Sequence, residues 1–215
     1  HEQVFDYIID IPWGDHAIKA DWKIQNKWKY FHMTPFDHTV VLDCDMLFTS
    51  DVSHWWTHLR HTDFWACDQV LTYRSEIVTS DYYRAAFTAN DLPNVYTAFM
   101  YFRKNQLSAE IFRQTQLIFD NWQRYFWLYL GASKPDWLSG DVAFALAIKL
   151  LGVEHLATRP GNFPTFVHMK PHVQNTQKIS LEDNWLHSLP VQFLSSDHVK
   201  IGNYRQTVPI HYVEP

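Results

Sequence analysis

Asp43 and Asp45 stand one residue apart, directly after three apolar residues, in the stretch HTVVLDCDMLFTSD (38–51). The apolar run is short and β-branched, which predicts a buried strand over 39–42. In a strand that continues, residues two apart point to the same face, so both carboxylates would face one way. Like charges held together repel unless a proton or a cation lies between them. Hard divalent cations take oxygen ligands, and Mn²⁺ or Mg²⁺ is typically held by one or two carboxylates plus substrate phosphates. The bland alternative is a strand-end turn whose aspartates cap backbone groups. The apolar strand before the pair and the apolar MLF after it set it apart from a solvated acidic run.

The elements that must position this pair are legible from periodicity. QVFDYIID (3–10) reads as a first strand and DWKIQNKWKYF (21–31) as an imperfect helix. DVSHWWTHLR (51–60) reads as a short helix and DFWAC (63–67) as a second buried strand. Residues 69–95 are polar and irregular, and VYTAFMYFR (95–103) is strand-like. LSAEIFRQTQLIFDNWQRYF (107–126) carries one apolar stripe and predicts a single helix. SGDVAFALAIKLLG (139–152) predicts another, closed by Gly152. FPTFVHMKP (163–171), VQFLS (191–195) and VPIHYV (208–213) are further strand-like pieces. Strands alternating with helices predict an α/β fold with a sheet covered on both faces. No linker or repeat interrupts the pattern, so one domain over 1–215 is expected.

Composition narrows the function. A hydrophobic share of 47% with 19% charged residues suits a packed globule. The formal charge of -5 provides no basic field, which argues against broad nucleic-acid binding. Cys44 and Cys67 form no C-x-x-C pair, which favours a reducing, cytoplasmic compartment. The longest apolar run, VAFALAIKLLGV (142–153), is too short for a membrane span and contains Lys149, so no transmembrane segment is expected. The chain begins with His1 and no signal-peptide pattern follows, as expected of a chain that starts inside a longer gene product.

Two families place carboxylates as this chain does. VVLDCD resembles the haloacid-dehalogenase-like phosphatases, but Leu47 and Ala145 stand where their pattern wants other residues. The resemblance to GT-A-fold glycosyltransferases extends further. KWKYFHMTPFDHTVVLDCDMLF (27–48) is similar to the segment that delivers their D-x-D. FWACDQ (64–69), NVYTAFMYFRKN (94–105, with Ala98 for the usual Gly) and SGDVAFALAIKLLG (139–152) follow in the family's order. FVHMKP (166–171) resembles the His and Lys-Pro segment of the glycogenin-like branch. Only 42 residues precede the D-x-D, so the family's base-binding unit is short or missing.

That resemblance implies a GT-A-like domain with a mixed, mostly parallel sheet flanked by helices. It implies a hexosyltransferase-like enzyme using Mn²⁺ or Mg²⁺, with a UDP- or GDP-sugar as donor and a glycan, protein or small molecule as acceptor. Asp43, Asp45 and His168 would hold the metal, and Asp43 would also contact the ribose. Lys170 would pair with the diphosphate and Lys27 would lie near the nucleotide. Asp141 would face the acceptor as base or binder, against the plain alternative of a helix cap. Arg74, Tyr82, Tyr83 and Arg84 are candidates for holding the acceptor, and Trp55, Trp56 and Trp137 for stacking on a sugar. A phosphatase, or a catalytically silent nucleotide- or sugar-binding module, is the alternative.

Overall fold

The computed structural model describes residues 4–17, 23–79, 84–158, 164–170, 188–195 and 198–212, and everything below concerns these. A 3₁₀ helix over Lys23–Lys29 runs into the short helix α1 (Tyr30–Met33). Strand β1 (His38–Leu42) follows, then β2 (Met46–Leu47), helix α2 (Trp55–Leu59) and β3 (Phe64–Cys67). Helix α3 (Ala85–Ala89) precedes the long strand β4 (Tyr96–Arg103). Helices α4 (Gln106–Asp120), α5 (Trp122–Tyr129), α6 (Gly140–Leu151) and α7 (Glu154–Ala157) come next. The chain closes with β5 (Val167–His168), β6 (Val191–Ser195), β7 (His198–Ile201), β8 (Tyr204–Gln206) and β9 (Ile210–His211).

The α/β expectation holds, but the sheet is not mostly parallel. Three small sheets form, ordered β1-β4-β3, β2-β9-β5 and β6-β7-β8. Of their six strand pairings only β5 with β9 is parallel. The crossover β1–α2–β3 does return the chain in its original direction, as an alternating pattern predicts. Strand β4 then inserts between the two and runs against both. Periodicity marks which segments are strands, whereas partner and direction depend on where the later strand docks.

The central sheet is covered on both faces. Met100 and Phe102 of β4, with Phe64 and Ala66 of β3, pack against Phe112 of α4 and Phe144 of α6. On the other face Phe99, Tyr101 and Trp65 pack with Trp55, Leu59 and Phe166. Trp55 therefore belongs to the core, whereas Trp56 and Trp137 are exposed.

Two other expectations change. Residues 4–10 form no strand; Val4 is 79% and Ile8 66% exposed, and an apolar segment becomes a strand only beside a partner. The single helix over 107–126 is two, because Asn121 leaves the helical region at φ -137° and its side chain donates to the Leu117 carbonyl. Asn105 caps α4 by accepting from the Ser108 N–H. Strands β2, β7 and β8 and helix α7 carry no readable signal of their own, being only two to four residues long. Helix α6 is as expected and closed by Gly152 in the left-handed region at φ 68°, but its cap is Ser139 and not Asp141.

Candidate metal centre

The ladder between β1 and β4 runs on to Asp43, whose N–H donates to the Ala98 carbonyl at 3.0 Å. The strand ends there. A turn at Cys44 and Asp45 leads into β2, so a turn, not a strand pleat, sets the relation of the two carboxylates. Strand β9 pairs with β2 so that Met46 lies opposite His211, and the Asp45 carbonyl accepts from the Tyr212 N–H at 3.1 Å. These pairings bring His211 to the two aspartates. Ligand atoms of Asp43, Asp45 and His211 all lie within 4.8 Å of one another. His211 Nε2 is 3.0 Å from Asp45 Oδ1 and 4.0 Å from Asp43 Oδ2. Two carboxylate oxygens and one imidazole nitrogen form a donor set suited to a divalent cation such as Mn²⁺ or Mg²⁺.

His168, the histidine expected from sequence, is not a member of this cluster. Strand β5 lies on the far side of β9, in parallel register with His168 beside His211. Neighbouring strands are about 4.8 Å apart, so β5 is two spacings from β2 and β9 only one. His168 Nδ1 instead faces His211 Nδ1 at 2.9 Å, with the rings stacked at 4.7 Å. His211 was missed although VPIHYV has the same form as FVHMKP, a histidine closing a short apolar strand. What separates the two is strand order, which neither segment encodes.

The basic residues have separate places. Lys27 is nearly buried; its Nζ donates to Asp43 Oδ1 at 2.9 Å and Oδ2 at 3.2 Å, and to Thr97 Oγ1 at 3.3 Å. Burial works against its charge, but the Asp43 carboxylate together with Tyr30 and Asp141 outweighs it and holds the Lys27 pKa above the ordinary lysine value. The two aspartates are thus tolerated because each has its own partner, Lys27 on Asp43 and His211 on Asp45. Burial lowers the pKa of His211, followed by opposing shifts from Asp45 and Asp43 and a further lowering by Lys170. Burial holds His168 well below the usual imidazole value, and His211, Lys170 and Arg84 add to the effect. A neutral imidazole is the form that binds metal. Lys170 stands close enough that both histidines feel its charge.

Asp141 sits within the first turn of α6, but Ser139 provides the cap. The Asp141 carboxylate accepts from Arg84 Nη1 at 2.8 Å, the Thr97 N–H at 2.9 Å and Thr97 Oγ1 at 2.7 Å. Burial raises its pKa, but Arg84 and the two Thr97 donors prevail and hold it below the ordinary aspartate value. Thr97 is the link: it accepts from Lys27 and donates to Asp141, joining the metal cluster to α6.

Arg84 is itself buried, donating also to Asn94 Oδ1 at 2.7 Å and to the Val95 carbonyl, beneath the rings of Phe87 and Tyr96. A cleft of about 400 Å³ is lined by Arg84, Phe87, Asn94 and Tyr96, among others. Asp43, Asp45 and His211 do not line it. Arg74 pairs with Glu76 at 2.9 Å, and Tyr82 and Tyr83 lie outside the described residues. No helix among the described residues is long and apolar enough to cross a membrane. Compared with protein-family models, curated proteins and solved structures, the chain matches none.

Proposed function

We propose that the chain is a metal-dependent glycosyltransferase of GT-A type, moving a hexose from a UDP- or GDP-sugar to a glycan, protein or small-molecule acceptor. The observation that carries this reading is the Asp43–Asp45–His211 cluster at the end of β1. When bound there, Mn²⁺ or Mg²⁺ supplies a Lewis acid and a template for the leaving diphosphate. Asp45 and His211 are the protein's ligands, and Asp43 divides its carboxylate between that site and Lys27. Lys170 supplies positive potential near the cluster and pairs with the diphosphate. The cleft beside Arg84 receives the acceptor.

Asp141 is a binder in this reading, not a base. A carboxylate that already accepts three hydrogen bonds and is held below its usual pKa is a poor proton acceptor. That same engagement favours a second reading, a module that binds the nucleotide-sugar without turnover.

Titration calorimetry with UDP and GDP, in Mn²⁺ or in EDTA, tests the metal bridge. Binding is expected only with the cation, because otherwise the diphosphate faces carboxylates of its own sign. Asp45→Asn and His211→Ala should each abolish the metal-dependent component. Equal affinity with and without the cation refutes the reading, and a UDP- or GDP-sugar that binds without releasing its sugar selects the silent module.

A further inference from the structure

Building on the metal cluster proposed above, we infer that His168 is a positioning residue for His211. It holds that ring in the orientation and tautomer able to ligate a divalent cation. The two Nδ1 atoms are 2.9 Å apart, so one must donate and the other accept. On the other side of its ring, His211 Nε2 is 3.0 Å from Asp45 Oδ1. With no cation present, Nε2 carries the proton and donates it to Asp45. Nδ1 of His211 is then bare and must accept from His168 Nδ1–H. A cation needs the opposite arrangement. Nε2 must be bare, the proton of His211 must lie on Nδ1, and His168 Nδ1 must accept it. His168 Nδ1 passes its proton to His211 Nδ1, the proton displaced from His211 Nε2 leaves to solvent, and His168 Nε2 takes one up, so each ring carries one proton before and after. His168 can play both parts because an imidazole presents either a donor or an acceptor at Nδ1.

Packing fixes the geometry of the exchange. Parallel register between β5 and β9 places the residues side by side, and the rings stack at 18°. Phe166 meets both rings edge-on, at 5.7 Å from His168 and 5.6 Å from His211. Tyr96 meets His168 from another side at 6.0 Å. The backbone is held as well: His168 N–H donates to the Leu71 carbonyl and Met169 N–H to the His211 carbonyl, both at 2.9 Å. Partners that hold the second nitrogen of a ligating histidine commonly change metal affinity by about tenfold to a hundredfold.

The test is a Mn²⁺ titration, read by the paramagnetic signal of the free ion, on the native chain, His168→Phe and His168→Asn. Phenylalanine keeps the stacked ring but offers no nitrogen, and should weaken Mn²⁺ binding by about tenfold to a hundredfold. Asparagine places an amide oxygen near the position of Nδ1 and should restore most of the affinity. Nitrogen-15 spectra of the native chain with Mg²⁺, a diamagnetic probe, should show the proton of His211 moving from Nε2 to Nδ1. The proton of His168 should move from Nδ1 to Nε2 at the same time, and a role confined to stability leaves that second shift absent. Native affinity in His168→Phe, no rescue by His168→Asn, or unchanged tautomers at saturating Mg²⁺ each overturn the inference while the metal site stands. A native chain that binds neither cation overturns the metal site and the inference together.

Discussion

Replacing Asp141 by asparagine removes one charge from a nearly buried ion pair and leaves Arg84 with a neutral neighbour. Breaking a buried pair from one side costs about 3–5 kcal/mol, since a buried charge loses its counter-ion. Two features place this case at the lower end. Arg84 keeps Asn94 Oδ1, the Val95 carbonyl and two aromatic faces, and the Asp141 side chain retains 23% of its accessibility. Against that, an amide that keeps its oxygen on the two Thr97 donors, which share Oδ1, must turn its NH2 donor toward Arg84 Nη1. A loss of about 3 kcal/mol, at roughly 2–4 °C per kcal/mol for a chain of this size, lowers the melting temperature by about 6–12 °C.

Calorimetric melting at pH 7 measures it, with Ser139→Ala as control; losing that cap should cost about 1 kcal/mol. The gap between native and Asp141→Asn must also depend on pH. A carboxylate whose folded pKa is depressed stabilises fully above its unfolded value and loses that contribution as pH falls through the folded one. The gap should therefore begin to close below the ordinary aspartate value of 3.8. A variant melting within about 2 °C of native at pH 7 refutes the ion-pair account, because the loss is then no larger than that of a cap.

Lys27→Met should destabilise by about 1–3 kcal/mol, because Asp43 and Thr97 lose a charged donor. The Lys27 pKa is raised in the folded chain, so its contribution is complete below 10.5 and fades as pH rises through the folded value; a gap that already closes well below pH 10.5 contradicts this. Gly152→Ala meets nothing within 4 Å, yet its φ of +68° should cost about 1–2 kcal/mol in chemical denaturation, and an unchanged midpoint refutes the backbone account. Phe144→Ala, in the contact between α6 and α4, should cost about 3–5 kcal/mol in the same assay; a loss below 1 kcal/mol would show that the site collapses around the void.

The sequence by itself determined the longer local elements, such as β1, α4 and α6, and one half of the site. β-branched residues before Asp43 mark β1, the serine and glycine at its ends mark α6, and the apolar stripe marks α4. These signals are local, arising from backbone sterics, capping and burial of one face, so they can be read from neighbouring residues. The Asp43–Asp45 pair was legible for the same reason. The break at Asn121 was not, because an Asn inside an apolar stripe costs a helix too little to announce a stop. Pairing lay beyond the sequence altogether. β4 docks between β1 and β3, and β9 between β2 and β5, through contacts spanning up to 166 residues. Those dockings make the sheets mostly antiparallel, select His211 over His168 beside the aspartates, and tie Asp141 to Arg84 and Thr97. Each histidine closes a short apolar strand; only the order of those strands decides which imidazole reaches Asp45.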